Sequence, residues 1–323
     1  MSETIAVADI GGTHARFALA EVAAGRVESL GEQITFKTAE HASFRTAWDE
    51  FGRQVGRPLP TALGLAFAGP VAGDLLKLTN NPWVIRSAIL ADELGIQRVN
   101  IVNDFGAVGH AVAQLGPEQF SHVCGPPGPL PGEGVTTIIG PGTGLGVAQL
   151  LRTPAHYEVI ETEGGHVDFA PLDELEDRML AYLRRSYRRV SIERIVAGSG
   201  LANIYAALAA IESQPVSQRE DNALWALALE GSDALAAAAL DRFCLSLGAI
   251  AGDLALAHGA NAVVIAGGVG LRIKDQLPTS AFSERFIAKG RFERRMEAIP
   301  VKLITHAYPG LYGAAAAFAK KFA

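Results

Sequence analysis

The chain has 323 residues, of which 49% are hydrophobic, only 19% are charged and 35 are glycine. That composition excludes a disordered chain and a coiled coil, which need more charge and less apolar content, and the glycines follow no collagen-like period of three. The net charge of −6 argues against nucleic acid or an anionic membrane surface as a partner, but leaves an anionic small ligand open, because backbone N–H groups hold phosphate locally.

In chain order, TIAVADI (4–10) reads as a strand, GGTHA as a tight turn, and RFALAEV (16–22) and QITFKT (33–38) as further strands. Residues 43–55 set Phe44, Trp48, Phe51 and Val55 on one helical face behind a Ser43 cap. TALGLAFAG (61–69) and RVNIVND (98–104) read as strands, with a short helix at 87–95 between them and a helix from FGAVGHAVAQLG ending at Gly116. The stretch GPPGPLPGEG (125–134) reads as a linker, after which TTIIGPGTGLGVAQLL repeats the strand–turn–strand pattern. Helices are expected at about 173–188, 191–197, 199–212 and 233–258, and strands at 261–269 and 301–308. A closing helix follows with Pro309 at its start. The strand–glycine–strand unit at 4–22 and again at 135–151 implies an internal duplication.

Cys124 and Cys244 stand apart from any CxxC or His-spaced cluster, so neither a zinc site nor a disulfide framework is expected, in keeping with a reducing compartment. No basic run precedes the first strand, and glycines and a proline break the apolar stretch at 135–151. No signal peptide and no membrane span are therefore expected, and the cytoplasm is the expected location.

Three glycine motifs carry the chemistry. In ADIGGTHAR (8–16), Gly11 and Gly12 let backbone N–H groups approach an anion, Thr13 offers a hydroxyl, and Asp9 can hold Mg²⁺. The alternative is a plain hairpin turn with a strand-end Asp. A strand rather than a helix follows, unlike a dinucleotide fold, and no Walker lysine is present. GPGTGLG (140–146) repeats the pattern with Gly142, Thr143 and Gly144, and AGGVG (266–270) adds Gly267 and Gly268, whose alternative is a strand-to-helix connection. Together they read as two phosphate clamps and a nucleoside platform.

Further polar residues stand at strand ends and in loops. Asn103 and Asp104 end a strand, where α/β enzymes place chemistry; the alternative is an Asx helix cap. ETEGGHVDFAP brings Glu163 and His166 around two glycines, and SIER supplies Glu193. Carboxylates accept from vicinal hydroxyls, although a loop histidine and a helix-start acid are the plain readings. A metal reading of Glu163 and His166 lacks a third ligand. LTNNPW is a turn signal, with Trp83 as core packing.

The segments ADIGGTHAR, LAFAGPVAGD, LTNNPW, VNDFGAVG, GPGTGLG, ETEGGHVDFAP, SIERIVAGSGLANIY, AGGV and PGLYGAAA run in order from residue 8 to about 317. In them the chain resembles the bacterial glucokinases of the hexokinase–actin–heat-shock-ATPase superfamily, in the group without the Cys-rich zinc motif. The resemblance implies a two-lobed α/β actin-like ATPase fold (ribonuclease H-like, duplicated) with a cleft between a small and a large lobe. The small lobe would span 1–115 plus 305–323, and the large lobe 116–304. It implies ATP-dependent phosphorylation of D-glucose at the 6-hydroxyl, the entry step of glycolysis, with Asp104 as general base. Asn80, Asn103, Asp104, Glu163, His166 and Glu193 would bind the sugar. ATP, as Mg-ATP, would meet Gly11, Gly12, Thr13, Gly142, Thr143 and Gly144 at its phosphates and Gly267 and Gly268 at its adenosine, with Asp9 serving Mg²⁺. Relatives are often homodimers. His14 stands where many relatives carry Asn, and no role is assigned to it. A sugar sensor without turnover is the alternative from another class; the intact Asp104 and both turns argue against it. A kinase for another hexose stays open.

Overall fold

The computed structural model describes residues 2–78, 81–215 and 219–323. Its contacts divide the chain into two compact units: the chain up to Gly116 together with His306–Ala323, and Pro117–Thr305.

In the first unit, β1 (Glu3–Ile10), β2 (His14–Ala23), β3 (Arg26–Leu30) and β4 (Ile34–Lys37) are followed by α1 (Phe44–Val55) and β5 (Ala62–Phe67). Then come β6 (Leu75–Lys77), β7 (Val84–Arg86), α2 (Leu90–Leu94), β8 (Arg98–Asn103) and α3 (Asp104–Gln114). The sheet order is β3-β2-β1-β5-β8, with β4 also on β2. The β1–β2 hairpin is antiparallel, whereas β5 lies parallel to β1 and β8 parallel to β5. Central β5 is buried along its whole length, as its unbroken apolar run requires. Ser43 caps α1 in a reciprocal capping box with Thr46, and Gly56 ends it in the left-handed conformation. The helix buries Phe44, Ala47, Trp48 and Phe51, with Phe51 stacked on Phe17 of β2 at 5.2 Å between ring centroids.

The second unit holds β9 (Phe120–Cys124), β10 (Gly134–Pro141), β11 (Leu145–Arg152), β12 (Tyr157–Thr162), α4 (Glu174–Leu183), α5 (Gly200–Ile211) and α6 (Asp221–Glu230). It continues with α7 (Ala234–Ala257), β13 (Ala262–Ile265), α8 (Gly267–Arg272), α9 (Phe282–Ile287), α10 (Glu293–Glu297) and β14 (Val301–Ile304). Its sheet runs β12-β11-β10-β13-β14-β9. The first five positions reproduce the order and strand directions of the first sheet: an antiparallel meander of three, then two parallel strands. The duplication expected from the two glycine turns is thus a duplication of whole sheets. Long, apolar α7 is a core helix whose Leu240, Phe243, Leu247 and Leu254 are buried. A charged cluster joins three helices of this unit. Asp173 caps α4 and meets Arg242 of α7 at 2.5 Å and Arg285 of α9 at 2.7 Å, while Glu176, only 2% exposed, lies 3.2 Å from Arg285.

The helix expected over 173–188 ends at Leu183, and the one expected over 191–197 is a single 3-10 turn at Ile192–Arg194. Here the backbone pairs sideways instead, Ile192 N–H donating to Val167 O at 2.8 Å.

The chain closes with α11 (Pro309–Lys321), which returns to the first unit and packs on α3, β1 and β5. Small residues let it sit close: a Cβ on Gly313 would lie 1.7 Å from the Ala107 carbonyl oxygen of α3, and one on Gly64 of β5 would lie 2.6 Å from Ala314 O. Both obstacles are backbone and cannot step aside. Gly313→Ala is therefore expected to destabilise the protein by about 1–3 kcal/mol through overpacking, despite the better helix propensity of Ala. Denaturant titration checks this, and an unchanged midpoint would refute it.

Candidate active site

In the first unit, β1 and β2 are joined through Gly11, Gly12 and Thr13, the last strand pair being Ile10 with Ala15. Gly11 N–H donates to His14 O at 2.9 Å, closing the turn. The carbonyl of Gly12 accepts from the Thr38 hydroxyl at 2.8 Å and from Asn81 Nδ2 at 3.4 Å, and Thr38 N–H donates to Thr13 O at 3.0 Å. Thr13 itself is exposed. Asn81 also accepts from Trp83 N–H at 2.8 Å, and Trp83 is core: 1% exposed, its indole N–H donating to His41 O. Asn80, the neighbouring sugar candidate, lies outside the described residues.

Asp9 sits at the end of β1 opposite Arg16, whose guanidinium approaches Oδ2 at 3.4 Å. Burial pushes the Asp9 carboxyl above its ordinary range, and Arg16 opposes this only in part. The start of α11 closes on the same carboxylate, since a Cβ on Gly310 would lie 2.8 Å from Asp9 Oδ2. A hard oxygen donor that burial leaves short of positive charge fits Mg²⁺.

Asn103 and Asp104 lie where parallel β8 turns into α3. The helix cap belongs to Asn103: its Oδ1 accepts from Phe105 N–H at 2.8 Å and Gly106 N–H at 3.1 Å, and its Nδ2 donates to Gly69 O at 3.1 Å. Asp104 is the next residue, half-buried in the first turn of α3, its Oδ1 accepting from Phe105 N–H at 2.9 Å. An Asx cap is therefore present, but one residue before the proposed base.

In the second unit, β10 and β11 are joined through Gly142, Thr143 and Gly144, the last strand pair being Pro141 with Leu145. Burial runs alike in the two turns: Gly12 and Gly142 half-buried, Thr13 and Thr143 exposed, Ala15 and Leu145 buried. Gly142 N–H donates to Gly144 O at 2.8 Å, and Gly198 N–H donates to Gly142 O at 2.7 Å. Gly198 in turn accepts from the Trp225 indole at 2.9 Å, and Arg272 of α8 lies over the Trp225 ring. Gly198 and Trp225 were not among the candidates; the first is one of many glycines, and the second sits in α6, a helix not expected from the sequence.

Glu193, 48 residues on, reaches this turn. Its Oε2 accepts from Leu145 N–H at 3.0 Å, and a Cβ on Gly144 would lie 2.5 Å from the same oxygen. Glu163 and His166 flank the Gly164–Gly165 pair, both side chains exposed and 4.0 Å apart. Arg189 clamps the loop behind them, donating to His166 O at 2.6 Å and to Asp168 at 2.5 Å. Gly267 begins α8 with φ of +81°, and a Cβ there would lie 2.4 Å from Pro141 O. That glycine is a strand-to-helix connection required by the backbone.

Gly12, Gly142 and Gly268 are different. None has a positive φ, and a Cβ on any of them would meet no described residue within 4 Å. Neither conformation nor internal packing calls for glycine at these positions.

A family model described as Glucokinase matches residues 6–321. The chain is 65% identical to a glucokinase of Zymomonas mobilis over 320 residues, covering 99% of this chain and 98% of that one. A solved glucokinase from an Antarctic psychrotroph is 34% identical with a TM-score of 0.85, covering 97% of this chain and 98% of the other. A glucokinase from Balamuthia mandrillaris, solved in complex with glucose, has a TM-score of 0.81 over 98% of this chain and 93% of its own; at 21% identity it speaks for the fold alone. The fold is that of the two-lobed, actin-like sugar kinases. With a model match across nearly its full length and a relative of such high identity, the chain belongs to the glucokinase family.

Proposed function

We propose that this chain transfers the γ-phosphoryl group of ATP to the 6-hydroxyl of D-glucose, giving glucose 6-phosphate and ADP, with Asp104 as the base. The observation that carries the reading is the division of labour at the end of β8. Asn103 takes the capping role, so Asp104 stands in the first turn of α3, where a negative charge is favoured by the helix dipole.

As the hydroxyl oxygen bonds to phosphorus, its proton passes to the Asp104 carboxylate and the phosphorus–oxygen bond to ADP breaks. A carboxylate is a weak base, which suffices because phosphoryl transfer asks mainly for positioning. Asn80, Asn103, Glu163, His166 and Glu193 would orient the sugar. Gly142–Gly144 and Gly11–Thr13 would receive phosphates through backbone N–H groups and threonine hydroxyls, with Gly267 and Gly268 toward the nucleoside. Asp9 would hold Mg²⁺, which when bound offsets phosphate charge. A homodimer acting in the cytoplasm completes the reading.

The test is a coupled ADP-release assay on purified protein with Mg-ATP and a panel of hexoses. Glucose-dependent ADP release is expected. Saturable glucose binding without ADP release would replace the kinase by a sensor, and faster release with another hexose would replace the substrate.

A further inference from the structure

The glycine turn of the second unit is wired to the sugar candidates of the same unit. Leu145, the first residue after the turn, is the junction. Its N–H donates to Glu193 Oε2, and its carbonyl lies against Gly165, where a Cβ would come within 2.0 Å of Leu145 O. Gly164 is pressed in the same way on Val147, a Cβ there lying 2.9 Å from its side chain. The loop after these glycines is paired to the segment that leads into Glu193, through Ile192 N–H to Val167 O at 2.8 Å and Phe169 N–H to Val190 O at 3.0 Å. Turn, sugar loop and Glu193 thus form a closed ring of contacts. The first unit's turn is pinned differently, by the neutral groups of Thr38 and Asn81 on Gly12 O.

We infer that Glu193 is a positioning residue for the nucleotide: its carboxylate fixes the Gly142–Gly144 turn through Leu145 N–H, and so ties nucleotide affinity to the occupancy of the sugar site. This rests on reading that turn as a phosphate site and Glu193 as a sugar ligand. A hydroxyl donating to Glu193 acts on the same carboxylate that orders the turn, and by linkage each ligand alters the other's affinity by the same factor.

The test is ADP affinity, measured by calorimetry on the full chain with Mg²⁺ and no sugar, followed by glucose affinity on the same proteins. Glu193→Ala is expected to weaken sugar-free ADP binding about tenfold, the scale of a hydrogen bond accepted by a charged group. Glu193→Gln keeps an oxygen for Leu145 N–H and should recover most of the ADP affinity while glucose binding stays weak. A residue that serves sugar alone leaves sugar-free ADP affinity unchanged in both variants, which would overturn the inference. ADP loss with intact glucose affinity would also overturn it, by removing the tie while leaving phosphoryl transfer standing.

Should Glu193→Ala fail to fold, Gly144→Ala provides the second arm with Glu193 in place. Its Cβ displaces the carboxylate, so glucose affinity should fall although Gly144 is not a sugar candidate; unchanged glucose affinity would refute the tie. Failure of the wild-type protein to bind ADP at all would instead strike the phosphate reading of the turn.

Discussion

Asp104→Asn is expected to lower kcat by about 10²–10⁴, the usual worth of a positioned general base, with little change in thermal stability. The stability half of this follows from the cap. Asn103 accepts from both Phe105 N–H and Gly106 N–H, so α3 keeps its N-terminal partners when the Asp104 charge is removed. The contact from Phe105 N–H to Asp104 Oδ1 at 2.9 Å is one an Asn carbonyl can still accept. What Asn cannot do is take the hydroxyl proton. At saturating glucose and ATP the loss should therefore sit in kcat, with glucose binding still measurable by calorimetry. A folded variant with near-wild-type turnover would remove Asp104 from the chemistry.

The shift from Asp104 to Asn103 as the capping residue shows where sequence reading stops. Both Asx side chains sit at a strand-to-helix junction, and only the backbone path decides which Oδ1 reaches the N–H groups of the first turn. The two glycine hairpins were legible because their flanking strands are buried and apolar on long runs, β1 and β10 above all. The edge strands β3, β9 and β12 were not, since exposed faces break their alternation: β3 shows only partly covered or exposed residues along its length. The β6–β7 ribbon, three residues a side, is too short to carry a period. In α6 the apolar residues spread around the helix, which blurs the amphipathic signal while Leu224, Trp225 and Ala228 go into the core. The candidates themselves could be named from motifs, but their wiring could not. Glu193 meets Leu145 across 48 residues, and Arg189 reaches His166 O across 23; nothing in local pattern encodes either.

Gly142→Val is expected to cost about 10²-fold in kcat/KM for ATP, the scale of a misplacement of about 1 Å in a positioned reactant, while the melting temperature stays near wild type. The reason lies in what surrounds the missing Cβ. At Gly125, φ is +77° and a Cβ would lie 2.2 Å from Ile299 O; at Gly267, φ is +81° and the obstacle is Pro141 O. Side chains at those positions collide with the protein itself, so lost activity there says nothing about ligands. At Gly142 a Cβ meets no described residue within 4 Å, and the turn's backbone bonds, to Gly144 O and from Gly198 N–H, need no particular side chain. Gly132 supplies the control: it too has open space and no positive φ, yet lies in the Gly-Pro-rich segment between β9 and β10. Gly132→Val should leave both stability and kinetics untouched. A fall in melting temperature for Gly142→Val would show that the turn needs glycine for folding. Unchanged KM and kcat would show that no phosphate approaches it. Only the combination of intact stability, weakened nucleotide and a silent Gly132 control assigns the space beside Gly142 to a ligand, because the two glycines differ in sequence context and not in what their own backbone demands.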